Sequence, residues 1–309
     1  MVGYLFAGQG SQYIGMGKDL CEAFPGSNTV FEKANQVLGF DLKETCCSGN
    51  PDALKMTNIC QPAVLTVDIA AFEAFKSEFR ILNSEVGFVA GLSLGEYAAL
   101  VAAGVLEFPD ALKLVRKRAE LMNEAAVKNP GTMAAIIGLD REVLKNICAS
   151  TPGAYLANLN CPGQIVISGK YEAIDQVKAL ALDQGAKKVI DLEVSGAFHS
   201  PLMQEAATEF EKFLEATVTL KDPRIPLVSN VDALPKNKAS QIKENLVKQI
   251  YSPVLWEDSM RFMLAQGIDK FFEFGPGKIL KGLMRKIDPA AQVISIEKKE
   301  DILTNLCGG

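Results

Sequence analysis

A serine between two glycines, at the junction of a predicted strand and a predicted helix, limits the possible folds of this chain most. Residues Gly91–Gly95 read Gly-Leu-Ser-Leu-Gly, follow the apolar run 86–90 and precede an apolar helical stretch that Gly104 closes. Glycines on such a sharp turn let strand and helix approach closely while the serine hydroxyl stays exposed. The pattern favours a nucleophile elbow, on which an acyl-serine ester forms. The alternative is a glycine-rich turn whose serine only caps the helix.

Strands and helices alternate along most of the 309 residues, of which 48% are hydrophobic. A chain of this size buries one large core, or a core and a smaller domain. The alternation predicts an α/β protein with a mainly parallel sheet. The first strand, over residues 2–7, leads into the loop Gly8-Gln9-Gly10-Ser11-Gln12. We expect this loop at the carboxyl end of the strand, where ligands bind in parallel sheets.

Periodicity and turn residues predict the other elements of this part of the chain. Helices are expected over 14–24, 29–38, from Pro62 (as a first-turn proline) towards Phe79, and over 110–126, 201–216, 241–250, 256–266 and 299–306. Strands are expected over 226–229, 270–274 and 292–296.

Residues 131–193 follow a different order of elements. Strands are predicted over 132–138, 154–159, 164–168 and 187–192, with helices over 142–149 and 172–183. The order β-α-β-β-α-β is that of a ferredoxin-like arrangement. We therefore predict an inserted small domain at 131–193 and a large domain formed by 1–130 and 194–309.

Composition excludes several classes of protein. The N-terminus lacks a basic region and a sufficient apolar run for a signal peptide, and no stretch approaches the length of a membrane span, so we expect a cytoplasmic protein. The seven cysteines, Cys307 among them, are odd in number and show no metal-ligand spacing, which predicts buried thiols and no metal. A net charge of −5 argues against nucleic-acid binding.

A serine nucleophile needs a base, and the chain has one histidine, His199. It lies where the chain leaves the predicted insertion, in a segment able to cross a cleft. An isolated histidine is commonly a surface or structural residue, but an elbow that needs a base favours the catalytic interpretation. The acid of a triad stays open, because spacing distinguishes none of Asp191, Glu193 and Asp232.

Several motifs together resemble the malonyl-CoA:acyl carrier protein transacylases, and they cover almost the whole chain. In order they are Gly8-Gln9-Gly10-Ser11-Gln12, Gly91-Leu92-Ser93-Leu94-Gly95-Glu96-Tyr97, Arg118 with Met122, Asn158-Leu159-Asn160-Cys161-Pro162-Gly163-Gln164, Gly196-Ala197-Phe198-His199-Ser200, Ser229-Asn230-Val231 and Phe274-Gly275-Pro276-Gly277-Lys278. The resemblance implies an α/β-hydrolase-like large subdomain with the ferredoxin-like insertion. It also implies ping-pong transfer of malonate from coenzyme A to the phosphopantetheine thiol of an acyl carrier protein, without a cofactor.

The resemblance also assigns residues to roles. Ser93 would be the nucleophile, His199 the general base and then acid, and the backbone carbonyl of Gln249 would orient His199. The oxyanion hole would be the N–H groups of Gln9 and Leu94. Arg118 would hold the malonate carboxylate in a bidentate pair, and the substrate would also contact Phe198 and Asn160. Without the family, Arg118 is one of three basic residues in 116–118, as on a solvated helix face.

Some positions depart from the family pattern without removing a catalytic group. Leu92 stands where many members have histidine, Ala119 where glycine is common, and Leu255 where some have glutamine. The Leu92 form resembles the free-standing acyltransferases of trans-acyltransferase polyketide synthases. Phe198 resembles malonyl-selective members, in which a bulky ring excludes an α-methyl branch.

Two other functions use the same residues. A hydrolase or editing thioesterase would use Ser93 and His199 with water as acceptor, but Arg118 favours a charged acyl group and hence a transferase. A docking module without activity would not need Ser93, His199 and Arg118 together. We expect a monomer whose partners are malonyl-CoA and an acyl carrier protein, which the basic residues Lys278, Lys281, Arg285 and Lys286 would contact, unless they are only a solvated helix face.

Overall fold

The computed structural model describes residues 1–79 and 82–306, so Cys307 lies outside the described residues. The strands are β1 (Val2–Phe6), β2 (Val86–Gly91), β3 (Thr132–Ile137), β4 (Ala154–Cys161), β5 (Gln164–Gly169), β6 (Lys188–Asp191), β7 (Leu227–Val228), β8 (Pro235–Lys236), β9 (Lys270–Phe274) and β10 (Gln292–Ile296). The helices are α1 (Lys18–Ala23), α2 (Pro25–Leu38), α3 (Leu42–Cys47), α4 (Pro51–Lys55), α5 (Thr57–Glu78), α6 (Gly95–Ala102), α7 (Phe108–Lys128), α8 (Arg141–Ser150), α9 (Tyr171–Asp183), α10 (Gln204–Thr217), α11 (Ala239–Gln249), α12 (Trp256–Ala265), α13 (Ile279–Ile287) and α14 (Lys299–Leu306).

The larger sheet has the strand order β10-β9-β1-β2-β7-β8 and is parallel except for the pair β7 and β8. The predicted mainly parallel α/β class is therefore confirmed. β1 pairs with β2 so that Phe6 lies opposite Gly91 at the last register position. The loop after β1, with Gln9, and the turn after β2, with Ser93, consequently meet at one edge of the sheet.

The second sheet is antiparallel throughout, with the order β4-β5-β3-β6. Helices α8 and α9 connect its strands, so the predicted element order β-α-β-β-α-β is observed between Thr132 and Asp191. Backbone hydrogen bonds join β4 to the segment before α12, from Leu159 N–H to the Val254 carbonyl (2.9 Å) and from Val254 N–H to the Ala157 carbonyl (2.8 Å). The limits 131–193 of an inserted domain stay a prediction.

Helix α5 lies in the core and packs against α2, α6 and α7. The expectation that Pro62 stands in its first turn is wrong, because the helix begins five residues earlier, at Thr57. A proline inside a helix removes one backbone hydrogen bond, which is unfavourable. Burial of Thr57 and Cys60, which precede Pro62 in the helix, offsets this loss. Tertiary burial therefore extends the helix through a position where local preference would end it.

Two further differences occur where glycine or short polar helices interrupt the pattern. The helix expected over 14–24 begins only at Lys18, since Gly15 and Gly17 have φ values of 99° and 77°. Short helices α3 and α4 were not expected; Asp41 and Asn50 cap them by accepting bonds from backbone N–H groups. Strands β9 and β10 have the predicted bounds.

Candidate active site

The turn after β2 holds Ser93 in a left-handed backbone conformation, with φ at 51°. The glycines on either side of Leu92 and Leu94 are required because the backbone leaves no room for a side chain there. A Cβ on Gly91 would lie 2.0 Å from the carbonyl carbon and oxygen of Gly95, and a Cβ on Gly95 would lie 2.3 Å from the carbonyl oxygen of Phe6. Strand β2, helix α6 and strand β1 therefore touch through their backbones at these positions, which leaves the serine at the tip of the turn.

The side-chain amide of Asn230 holds the turn from behind. Its Oδ1 accepts a hydrogen bond from Ser93 N–H at 2.7 Å, and its Nδ2 donates to the Gly91 carbonyl at 2.8 Å. These bonds satisfy backbone groups at the last residue of β2 and in the turn that follows it. Asn230 belongs to a motif recognised in the sequence, but no role was predicted for it.

The Oγ of Ser93 lies 2.7 Å from Nε2 of His199, although 106 positions separate the two residues. On the other side of the ring, Nδ1 lies 2.8 Å from the backbone carbonyl of Gln249. A carbonyl oxygen only accepts, so Nδ1 carries the proton and Nε2 is left to accept one from the serine hydroxyl. The arrangement can deprotonate Ser93.

Burial and the positive charge of Arg118 lower the pKa of His199 to about 4, while its hydrogen bond to the Gln249 carbonyl acts in the opposite direction. The ring is 5% exposed. A lowered pKa means that the imidazole is neutral at pH 7 and free to accept a proton.

None of the three acids considered as a triad member bonds to His199. Asp191, Glu193 and Asp232 each pair with a lysine instead, namely Lys178, Lys55 and Lys236. The second ring nitrogen of His199 meets the Gln249 carbonyl, so this carbonyl, and no carboxylate of the described residues, takes the orienting position.

Arg118 is 1% exposed and its side chain points from α7 to the serine. Its Nη1 donates to Gln61 Oε1 at 2.7 Å, and its Nη2 donates to Ser93 Oγ at 3.1 Å and to Gln249 Oε1 at 3.2 Å. Within residues 1–79 and 82–306, no carboxylate forms an ion pair with it. The interpretation as a solvated helix face is therefore wrong. A buried cation without a carboxylate in direct contact favours an anion that arrives with a ligand.

Gln61 is a site residue that sequence reasoning missed. It is fully buried, its Oε1 accepts from Arg118, and its Nε2 has no partner among the described residues. A glutamine inside the apolar run of α5, directly before Pro62, was an available signal, because buried amides need a polar neighbour.

A cavity of about 380 Å³ opens onto these groups. Its wall includes Gln9, Ser93, Arg118, Phe198 and His199 of the predicted site, together with Gly8, Gly10, Gln12, Lys55, Gln61, Leu92, Met122, Met133, Asn158, Leu192, Glu193 and Val194. Asn160 is absent from this wall, whereas Asn158, two residues earlier on β4, is part of it. The role of Asn160 in substrate binding stays a prediction.

The backbone N–H groups of Gln9 and Leu94 donate to no acceptor in the part of the chain that the structure describes. Leu94 follows the serine and precedes the first residue of α6, and Gln9 follows β1 at the same sheet edge. One free donor at a helix N-terminus and one in the loop after β1, at the same sheet edge, suit a developing negative charge.

Among the described residues, no group of three or more histidine, cysteine or acidic side chains is placed to hold a metal ion. The helices found there are too short or too polar to cross a membrane. The six cysteines of the described chain are free thiols.

Residues 3–293 match the model of the acyl transferase domain family. A malonyl CoA-acyl carrier protein transacylase of Bacillus subtilis is 45% identical over 305 residues, which are 97% of this chain and 95% of that protein. The transacylase of the same name from Staphylococcus aureus (strain MRSA252) is 41% identical over 302 residues, which are 96% of each chain.

Solved structures agree with these relatives. PlMCAT, a malonyl-transacylase in complex with a type II PKS acyl-carrier protein, superposes with a TM-score of 0.95 at 35% identity, over 100% of this chain and 99% of that one. An acyl-carrier-protein S-malonyltransferase of Bartonella henselae gives a TM-score of 0.95 at 37% identity, with the same coverage. The chain therefore belongs to the acyltransferase family, as a member of its malonyl CoA-acyl carrier protein transacylases.

Proposed function

We propose that this enzyme transfers malonyl from malonyl-CoA to the phosphopantetheine thiol of an acyl carrier protein, through a malonyl ester on Ser93. The observation that carries the proposal is the position of Arg118, a buried cation without an ion-pair partner whose Nη2 lies 3.1 Å from the Ser93 hydroxyl. A malonyl group on Ser93 has its free carboxylate only a few bonds from the ester oxygen. The guanidinium lies within reach of that carboxylate and could bind it in bidentate geometry.

In the first half-reaction, Ser93 Oγ attacks the thioester carbonyl carbon while its proton passes to Nε2 of His199. The negative charge on the carbonyl oxygen is stabilised by the N–H groups of Gln9 and Leu94. Collapse of the tetrahedral species breaks the carbon–sulfur bond, and His199 returns the proton to the departing coenzyme A thiolate. The site then contains malonyl-Ser93 and a neutral His199.

In the second half-reaction, the phosphopantetheine thiol gives its proton to Nε2 of His199 and its sulfur attacks the ester carbonyl. The carbon–oxygen bond to Ser93 breaks, and His199 returns the proton to the serine oxygen. Atoms and charges balance within the site, so the reaction is proposed to need neither a cofactor nor a metal. The bond from Nδ1 to the Gln249 carbonyl keeps the imidazole in one orientation throughout.

Phe198 supports malonyl selectivity, because its buried ring lies beside His199 and lines the cavity. An α-methyl branch would have to occupy space that the ring fills. A single methylene is worth about 1–3 kcal/mol of discrimination, so exclusion of methylmalonyl is expected to be strong but finite.

The alternative of a hydrolase or editing thioesterase finds no support in the relatives, which are transacylases by name. We also propose, more specifically, that this enzyme supplies a polyketide pathway. The PlMCAT complex is an example from a different protein and its own carrier. A monomeric state, a cytoplasmic location and the lack of nucleic-acid binding stay predictions.

Mass spectrometry of the intact protein and of its proteolytic peptides, after mixing with malonyl-CoA, tests the function. We expect a malonyl adduct on the peptide that contains Ser93, and its disappearance when a holo acyl carrier protein is added, with gain of the same mass on the carrier. The Ser93→Ala variant is the control and should carry no adduct. An adduct that water removes at the same rate with or without the carrier would instead support the hydrolase.

A further inference from the structure

We propose that Glu96 is a positioning residue that sets the orientation of the Gln249 amide, and through it the place of Arg118 beside Ser93. This inference rests on the proposed malonyl transfer and adds a residue to it. Glu96 is the second residue of α6 and is completely buried. It lies behind the serine turn rather than in the cavity wall.

The carboxylate of Glu96 binds the two residues that hold the serine turn. Its Oε2 accepts hydrogen bonds from Gln249 Nε2 at 2.8 Å and from Asn230 N–H at 3.2 Å. Asn230 in turn bonds to the backbone before and at Ser93, and Gln249 Nε2 donates to the Ser93 carbonyl at 3.0 Å. One buried acid thus fixes both supports of the nucleophile.

The two ends of an amide differ in hydrogen bonding, and this gives Glu96 its effect on Gln249. The ionised Glu96 carboxylate and the Ser93 carbonyl only accept, so Gln249 turns its Nε2 towards both and its Oε1 away. The Oε1 then faces Arg118, whose Nη2 donates to it at 3.2 Å. A reversed amide would place two donors against each other at Arg118 and two acceptors against each other at Glu96.

Glu96 is also a carboxylate near Arg118 that forms no ion pair with it. Gln249 lies between the two charges, bonded to both. The negative charge of Glu96 therefore compensates the charge of Arg118 from a distance. The guanidinium remains available to bind the carboxylate of malonate. A direct ion pair would compete with the substrate for the same guanidinium face.

Three variants test this role, with loading of malonyl-CoA and of the uncharged acetyl-CoA measured side by side as kcat/KM. Glu96→Ala removes both hydrogen bonds and should lower the ratio of malonyl to acetyl loading about tenfold or more. Glu96→Gln keeps an oxygen that accepts from Gln249 and Asn230, and should restore most of the ratio. Glu96→Asp keeps the charge but shortens the side chain by one methylene, and should resemble Glu96→Ala.

Glu273→Gln is the matched control, because Glu273 is another buried acid that accepts from backbone N–H groups, those of Leu280 and Lys281, away from the site. It should leave the ratio unchanged. An equal loss for both thioesters in Glu96→Ala, or an unchanged ratio, overturns the positioning role. If Glu96→Ala does not fold, Glu96→Asp against Glu96→Gln decides by the same ratio. Absence of a malonyl adduct on the unaltered enzyme would refute the transfer function itself.

Discussion

Nη2 of Arg118 lies 3.1 Å from Oγ of Ser93, so the only fully buried arginine of the described chain touches the hydroxyl at the tip of the elbow. The same nitrogen lies 3.2 Å from Oε1 of Gln249, the residue whose carbonyl meets His199. The charge that would recognise the acyl group and the groups that would transfer it therefore belong to one hydrogen-bonded cluster. Substitution of Arg118 should therefore change the selectivity for the acyl group more than it changes the rate of acyl transfer itself.

Arg118→Ala should lower kcat/KM for malonyl-CoA by about 100-fold or more, because a carboxylate would enter the dry cavity without its charge partner. Loading of acetyl-CoA should be unchanged or raised. Loading rates from mass spectrometry with each thioester measure this. Arg116→Ala is the control, since Arg116 lies on the same helix, is about half exposed and pairs with Glu120. Equal malonyl rates in both variants would disprove the role of Arg118.

Activity should persist at acidic pH. The pKa of His199 is lowered to about 4, so the ring remains a neutral base as pH falls below 6.5. We therefore expect the decrease of kcat/KM for malonyl loading that comes from protonation of His199 only near pH 4. Burial raises the pKa of Glu96 to about 7, so we expect a second inflection near pH 7 in the unaltered enzyme. Profiles of the unaltered enzyme and of Glu96→Gln separate the two: the limb near pH 4 should persist in both. A single midpoint near 6.5 in both would contradict the neutral, buried histidine.

The elbow glycines should tolerate no side chain. Gly91→Ala places a Cβ 2.0 Å from backbone atoms of Gly95, which no rotamer change relieves, so it should destabilise the protein by about 3 kcal/mol or more. Urea unfolding measures the change. The control is Gly282→Ala on the exposed side of α13, where a Cβ meets nothing within 4 Å; there we expect a gain of about 0.5–1 kcal/mol. Similar stabilities of the two variants would argue against the tight strand-to-helix contact.

Much of the site was predictable because its signals are local. Glycines around Ser93 report a close backbone approach, and a chain with one histidine leaves one choice of base. The identity of the orienting group could not come from spacing, because a backbone carbonyl leaves no mark on the sequence. Gln249 was found only through family resemblance.

The residues that sequence reasoning missed act through long-range contacts of neutral or buried groups. Gln61 meets Arg118 across 57 positions, and Asn230 meets Ser93 across 137. The place of Gln61 in an apolar run indicates that it is buried, but no periodic or compositional signal indicates which residue either side chain pairs with. The start of α5 was misplaced for a related reason: burial of its first turn overrides the local preference of Pro62, and a local pattern does not report burial.

Phe198→Ala should reduce the preference for malonyl over methylmalonyl about tenfold, since it opens room beside His199 for an α-methyl group worth about 1–3 kcal/mol of discrimination. Competition of the two thioesters for one carrier protein, with the products separated by mass, gives the ratio directly. Phe262→Ala serves as control, because it removes an aromatic ring that packs on Phe88, with centroids 5.4 Å apart, outside the cavity wall. A general loosening of the core would shift both variants alike, whereas a wall that excludes the branch requires the shift in Phe198→Ala alone. An unaltered ratio in Phe198→Ala would move the source of selectivity to the other apolar side chains of the cavity wall, which are Leu92, Met122, Met133, Leu192 and Val194.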